Sequence, residues 1–153
     1  MKNLIALFVL VLLTSACGSG NSTTTSTETS SGNNIEAYLA IKDALVETNA
    51  EKASEAAKSF MKANTNDQLT ASLETIANTT DVKAQRAAFE TLSMNMYDIV
   101  KANKGETVLY KQYCPMAFNN KGAYWLAAEQ EVNNPYFGDM MLHCGSVEET
   151  INQ

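Results

Sequence analysis

The sequence predicts a mainly α fold: an antiparallel up-and-down bundle of about four helices, followed by a small C-terminal β-hairpin and loop unit that contains cysteine and methionine. Three observations predict it. Apolar residues between 35 and 104 recur three and four positions apart. The polar breaks between these stretches are short, which favours antiparallel neighbours. From about residue 105 onward, β-branched and aromatic residues alternate with Asn, Gly and Pro signals for turns.

Residues 1–16 read as an export leader. Lys2 precedes the apolar run Leu4 to Leu13, which is too short to span a bilayer as a helix, and Thr14-Ser15-Ala16 supply a small-residue cleavage zone before Cys17. Small residues directly before a single cysteine are similar to the lipobox of bacterial lipoproteins. That resemblance implies that Cys17 becomes the first mature residue and carries a diacylglyceryl/acyl lipid. The alternative is an ordinary secretory signal with a cysteine near the cut by chance. Residues 17–34 are Gly, Ser, Thr and Asn with Glu28 as the one charge between Gly18 and Asn34, a composition expected to act as a flexible tether. Residues 35–153 then form a single globular domain, with the bundle over 35–104 and the hairpin and loop unit over 105–153.

The helices are read in order. Ile35, Tyr38, Leu39, Ile41, Leu45 and Val46 share one face, and Glu47-Thr48-Asn49 ends that pattern. A second helix over Ala50 to Ala63 presents Ala53, Ala56, Ala57 and Phe60, a narrow face suited to close packing. After Asn64-Thr65-Asn66, a third segment presents Leu69, Leu73, Ile76 and Ala77. Asp81 is placed to cap the fourth helix, where Val82, Gln85, Phe89, Leu92, Met96, Ile99 and Asn103 form the stripe and Gly105 lies past the end. Val108 to Tyr113 and Ala123 to Leu126 form the expected hairpin around Asn119-Asn120-Lys121-Gly122. A loop on Asn133-Asn134-Pro135 leads to the closing Met140 to Gly145.

Seventeen acidic residues against 11 basic ones leave no basic footprint for nucleic acid. No glycine-rich phosphate loop, metalloprotease helix motif or serine elbow is present, so neither enzyme activity nor a small-molecule cofactor is expected. His143 beside Cys144 in sequence is a poor vehicle for a Cys-His nucleophile.

Tyr113-Cys114-Pro115-Met116-Ala117-Phe118, Gly122-Ala123-Tyr124-Trp125-Leu126, Asn134-Pro135-Tyr136-Phe137-Gly138 and Met141-Leu142-His143-Cys144-Gly145 together resemble an uncharacterised bacterial domain family. The likeness extends back through Gln85 to Phe89 and Tyr38 to Leu45. Members of that domain of unknown function occur at the C-terminus of periplasmic adaptor subunits of heavy-metal and copper efflux pumps and as stand-alone lipoproteins. The resemblance implies a place in copper or related metal handling in the cell envelope, periplasm-facing rather than on the cell surface, with an efflux adaptor as partner and the membrane reached through the lipid.

The residues point the same way on chemical grounds. Two thiols and two thioethers are what a soft ion such as Cu(I) selects. Cys114 and Met116 are two apart, which in an extended segment sends both side chains to one face. Met141 and Cys144 are three apart and converge on a helical turn or tight bend. The expected metal ligands are therefore Cys114, Met116, Met141 and Cys144, with His143 and Met94 as further candidates. Met96 falls on the core stripe of its helix, which leaves Met94 facing away from it. The alternative stays open: with Cys17 acylated, Cys114 and Cys144 are the remaining thiols, and an extracytoplasmic compartment lets a disulfide between them persist. Trp125 is expected in the core, with shielding of a bound cation by its ring face as the alternative, and Tyr113, Phe118, Tyr124, Tyr136 and Phe137 are expected to wall the C-terminal unit.

Overall fold

The computed structural model describes residues 26–103 and 107–152; the leader, Cys17 and the tether up to residue 25 lie outside the described residues, as does Gly105. Four helices, α1 (Ser26–Val46), α2 (Ala50–Ala63), α3 (Asp67–Ala77) and α4 (Val82–Ala102), pack each against the next. The chain is mainly helical, with a small antiparallel sheet at its C-terminal end.

Three polar side chains start the helices where the sequence places their breaks. The Asn49 side chain accepts from the Lys52 amide, Asn66 from that of Gln68 and Asp81 from that of Lys83, each at 2.9 Å. These bonds satisfy amides that have no partner within their own helix. α1 differs from expectation at its start: it begins at Ser26, so helical backbone includes the last part of the segment whose composition suggests a tether. Its anchor explains this. Asn34, Ile35 and Tyr38 are buried, and a turn fixed by packing extends at little further cost.

The apolar stripes meet as one core. Tyr38, Ile41 and Leu45 of α1, Phe60 of α2, Leu69, Leu73 and Ile76 of α3, and Phe89, Leu92 and Met96 of α4 are all buried. One polar side chain ties three helices together. Gln85 of α4 is fully buried and donates through Nε2 to the carbonyls of Ala50, Ile76 and Thr79, at 2.8, 3.2 and 2.8 Å. It thereby satisfies carbonyls at helix ends that face the core rather than water.

The expected hairpin is present, and a third strand joins it. β1 (Val108–Cys114) lies between β2 (Ala123–Ala127) and β3 (Ser146–Asn152), antiparallel to both. β3 alternates in burial, with Val147, Glu149 and Ile151 inward of Glu148 and Thr150. The register shifts between Lys111 and Gln112, where Glu149 and Val147 are the successive partners. Between β1 and β2, Phe118, Asn119 and Asn120 all have positive φ, at 51°, 59° and 67°. Asn tolerates that conformation, and Phe118 is held in it by an edge contact with Tyr136, ring centres 5.3 Å apart.

The outer edge of β2 is closed by two tyrosine hydroxyls. Tyr38 accepts from the Leu126 amide at 3.0 Å, and Tyr136 donates to the Tyr124 carbonyl at 2.5 Å. Strand edges left open invite pairing with other chains, and here α4 also packs along β2. Successive strand residues face opposite sides. Lys111 lies 4.0 Å from the Tyr97 ring centre and 4.3 Å from that of Tyr124. Gln112, on the other side, donates to the carbonyls of Glu129 and Glu131, both at 3.0 Å, and so holds the loop that carries the second cysteine.

Candidate functional site

The strand pairing itself brings the two cysteines together. Tyr113 and Ser146 are ladder partners, so Cys114 at the end of β1 lies beside the residues just before β3. Gly145 permits the approach: its φ is +146°, and a Cβ there would lie 2.6 Å from the Tyr113 carbonyl oxygen and 3.2 Å from the Trp125 ring. The result is a Cys114 Sγ to Cys144 Sγ distance of 3.2 Å. Cys114 is fully buried and Cys144 half-buried.

Two hydrogen bonds hold the Cys144 backbone. Its amide donates to the Met141 carbonyl at 3.0 Å, which closes a turn over Met141 to Cys144. Its carbonyl accepts from Nδ2 of Asn134 at 2.7 Å. Asn134 is fully buried, and its Oδ1 accepts from the amides of Tyr136 and Phe137 at 2.8 and 3.3 Å. Its own amide donates to the Leu142 carbonyl at 2.8 Å. One asparagine thus fixes both its own loop and the cysteine turn.

Behind the loop stands Arg86 of α4, buried without an acidic partner among the described residues. Its Nε donates to the Pro135 carbonyl at 2.8 Å, and its Nη2 donates to the Leu45 carbonyl and the Thr48 hydroxyl at 3.2 and 3.1 Å. Leu45 lies in the last turn of α1, where helix carbonyls carry partial negative charge. Burial lowers the Arg86 pKa from its usual value, yet a guanidinium stays charged at any ordinary pH. Tyr136 packs against Phe89, Phe118 and Trp125 at 6.0, 5.3 and 5.8 Å between ring centres. Burial pushes its hydroxyl well above the usual pKa. Trp125 is core, with its indole N–H unpartnered among the described residues.

The other sulfur and nitrogen candidates are distributed as follows. Met116 follows Cys114-Pro115 and is 46 % exposed. Met141 opens the turn that Cys144 closes and is half-buried. His143 is exposed, and its Nδ1 lies 2.8 Å from the Val132 carbonyl; donation there leaves Nε2 free as an acceptor. Met96 is buried in the core, as its place on the helical stripe predicts, and Met94 is 46 % exposed. Met94 falls between Glu90, whose carboxylate pairs with Lys121 at 2.9 Å, and Tyr97, whose hydroxyl donates to Glu149 at 2.8 Å. It therefore borders the C-terminal sheet.

The thiol pair has a definite chemistry. Cys144 holds its proton more tightly than a free thiol, first through its hydrogen bond with Cys114, then through burial and the charge of a neighbouring thiolate. The 3.2 Å separation exceeds the roughly 2.05 Å of a disulfide. It falls short of the roughly 3.8 Å that two metal–sulfur bonds of about 2.3 Å span at a tetrahedral angle. Among the described residues no group of three or more His, Cys, Asp or Glu side chains is placed to hold a metal ion, so any ion bound here relies on the thiols together with thioether or imidazole donors.

Residues 35–107 match the family described as Protein of unknown function (DUF3347). Over that stretch the chain is similar to the DUF3347 family. No curated protein and no solved structure matches it. The DUF3347 match takes in the four helices from Ile35 onward, including Tyr38 to Leu45 and Gln85 to Phe89, and ends before β1. Both thiols lie beyond it. Arg86 and Tyr38 are among the side chains of the matched stretch that reach across to the cysteine-bearing unit, through Pro135 and Leu126.

Proposed function

We propose that this chain is a lipid-anchored envelope protein, periplasm-facing, that binds a soft metal ion, Cu(I), for sequestration or for delivery to a heavy-metal efflux adaptor. The approach of Cys114 and Cys144 to 3.2 Å carries the reading. Two thiols from distant stretches form a soft donor pair, one anchored in the core and the other at its edge. Each stretch brings a thioether within three residues of its thiol. That donor set suits Cu(I) over the oxygen-seeking cations. The ion is cargo, held by Cys114 and Cys144, with Met116 and Met141 completing the set and His143 or Met94 as further donors. Asn134 and Gly145 orient Cys144, and no catalytic step is proposed. No helix among the described residues is long and apolar enough to cross a membrane.

Titration of the reduced protein with Cu(I) against a competing chelator tests the reading. One ion per chain is expected, and Cys114→Ser or Cys144→Ser should each weaken binding by more than the roughly 10–100-fold that loss of an outer-shell partner costs. Equal affinity in all three proteins sinks it.

The same distance favours a second reading, a disulfide-stapled interaction module that docks on an efflux adaptor and binds no metal. A bridge across this separation of 30 residues would stabilise the fold by about 3–4 kcal/mol. Intact mass of protein prepared without reductant separates the two: a quantitative loss of two hydrogens favours the staple.

A further inference from the structure

Cys114 and Cys144 are alike in chemistry and unlike in placement. Cys114 is the last residue of the central strand and is completely buried. Cys144 closes an exposed turn, between His143 and Gly145, both open to solvent. The backbone around Cys144 is fixed by Asn134 and by the Gly145 contact with Tyr113. Its side chain therefore has to rotate only between solvent on one side and Cys114, 3.2 Å away, on the other.

From this asymmetry we infer an ordered thiol–disulfide exchange, in which Cys144 reacts with an external disulfide and Cys114 resolves the product into an internal bridge. In the first step the Cys144 thiolate attacks one sulfur of a dialkyl disulfide. An S–S bond to Cys144 forms, the external S–S bond breaks, and the departing thiolate takes up the proton that Cys144 lost. In the second step Cys114, as thiolate, attacks Cys144 Sγ. The Cys114–Cys144 bond forms and the second external thiol leaves with the Cys114 proton. Two protein thiols are oxidised and one external disulfide is reduced to two thiols. The order follows from access, because exchange proceeds by in-line attack and only an exposed sulfur can meet a bulky partner. The resolving sulfur is already close and needs no exposure. In the oxidised state neither sulfur is free to bind a soft ion, so the exchange also controls any metal carried here. The inference rests on the thiol pair and not on the metal reading.

The test uses the full chain with Cys17→Ser, so that two thiols remain. Reduced protein is freed of reductant under argon, mixed with oxidised glutathione, quenched with acid at intervals and followed by intact mass and peptide mapping. The parent should pass through a transient glutathione adduct to a form lacking two hydrogens. With Cys114→Ser the adduct should persist on Cys144. With Cys144→Ser, the adduct on Cys114 should form at least about tenfold more slowly, because the buried sulfur is out of reach of glutathione. Equal or faster reaction at Cys114, or a parent that keeps both thiols, overturns the inference. Because Cys144→Ser could loosen the loop and uncover Cys114, limiting iodoacetamide is also applied to the reduced parent. Alkylation mapping first to Cys144 supports the order, and alkylation mapping first to Cys114 overturns it. Cu(I) titration of the reduced parent is a separate arm: absence of binding there removes the metal reading, while the exchange order is decided by the mass data alone.

Discussion

Asn134 concentrates more of the site's geometry than either cysteine does. Its buried amide satisfies the Cys144 carbonyl and the amides of Tyr136 and Phe137 at once. Asn134→Ala leaves these backbone groups unpaired, and an unsatisfied buried group costs about 1–3 kcal/mol. The expected result is a loss of about 2 kcal/mol in urea unfolding, together with weaker Cu(I) binding in the reduced state; an unchanged midpoint would show that the loop is held by other means. Gly145 poses a sharper steric test. Gly145→Ala forces a Cβ to within 2.6 Å of the Tyr113 carbonyl oxygen, at a φ of +146° that L residues rarely adopt. The Cys144 turn should be pushed away from β1, so oxidation of the pair by glutathione slows and Cu(I) binding falls. Wild-type rates of bridge formation in this variant would mean that strand pairing alone sets the sulfur distance. The two thiols stand out in the sequence by residue type, and the structure brings their sulfurs to 3.2 Å. Asn134 and Gly145 were visible only as loop formers, since their partners are chosen by pairing that no local pattern encodes.

Among elements, the helices were the most legible. Each of α2, α3 and α4 has its polar N-cap followed by an apolar stripe, and periodicity with capping is local information. β3 was not, because Ser146 to Asn152 carries two adjacent glutamates and only two apolar residues, and it is a strand because β1 offers a free edge. Its attachment to α4 is electrostatic. Glu149 accepts from Tyr97 at 2.8 Å and from Lys101 at 2.7 Å. The Lys101 hydrogen bond is the main cause that holds the Glu149 carboxyl below its usual pKa, with the Tyr97 bond next. A depressed carboxyl contributes stability above its unfolded pKa of about 4.3 and loses it as pH falls through the folded value. Wild type should therefore exceed Glu149→Gln at neutral pH by less than about 1 kcal/mol, since the group is near the surface. That gap should close in acid as wild-type Glu149 protonates. Urea midpoints for both proteins across this range check it, and a gap that persists unchanged in acid would place the Gln effect in packing instead.

At the scale of the whole molecule, the bundle and the sheet interlock through side chains. Phe89 of α4 stacks on Tyr38 at 5.1 Å and meets Tyr136 at 6.0 Å, so its ring is covered on one side by a helix and on another by the cysteine-bearing loop. Arg86 joins the end of α1 to Pro135, and Lys42 of α1, almost wholly buried, pairs with Glu129 in the loop after β2. These links cross the boundary at which the DUF3347 match ends. A chain stopped after residue 107 would keep every helix-forming signal, yet it would expose Phe89 and leave Arg86, Lys42 and the Tyr38 hydroxyl without their C-terminal partners. Helices draw most of their stability from tertiary burial of one face, and α4 would lose the packing it makes along β2. Such a truncated chain should retain helical circular dichroism at low temperature but melt broadly, whereas the intact protein should melt in a single sharp transition. A steep, two-state melt at a similar temperature would show instead that the helices are an autonomous domain, with the thiol pair mounted on an appendage whose geometry the bundle does not control.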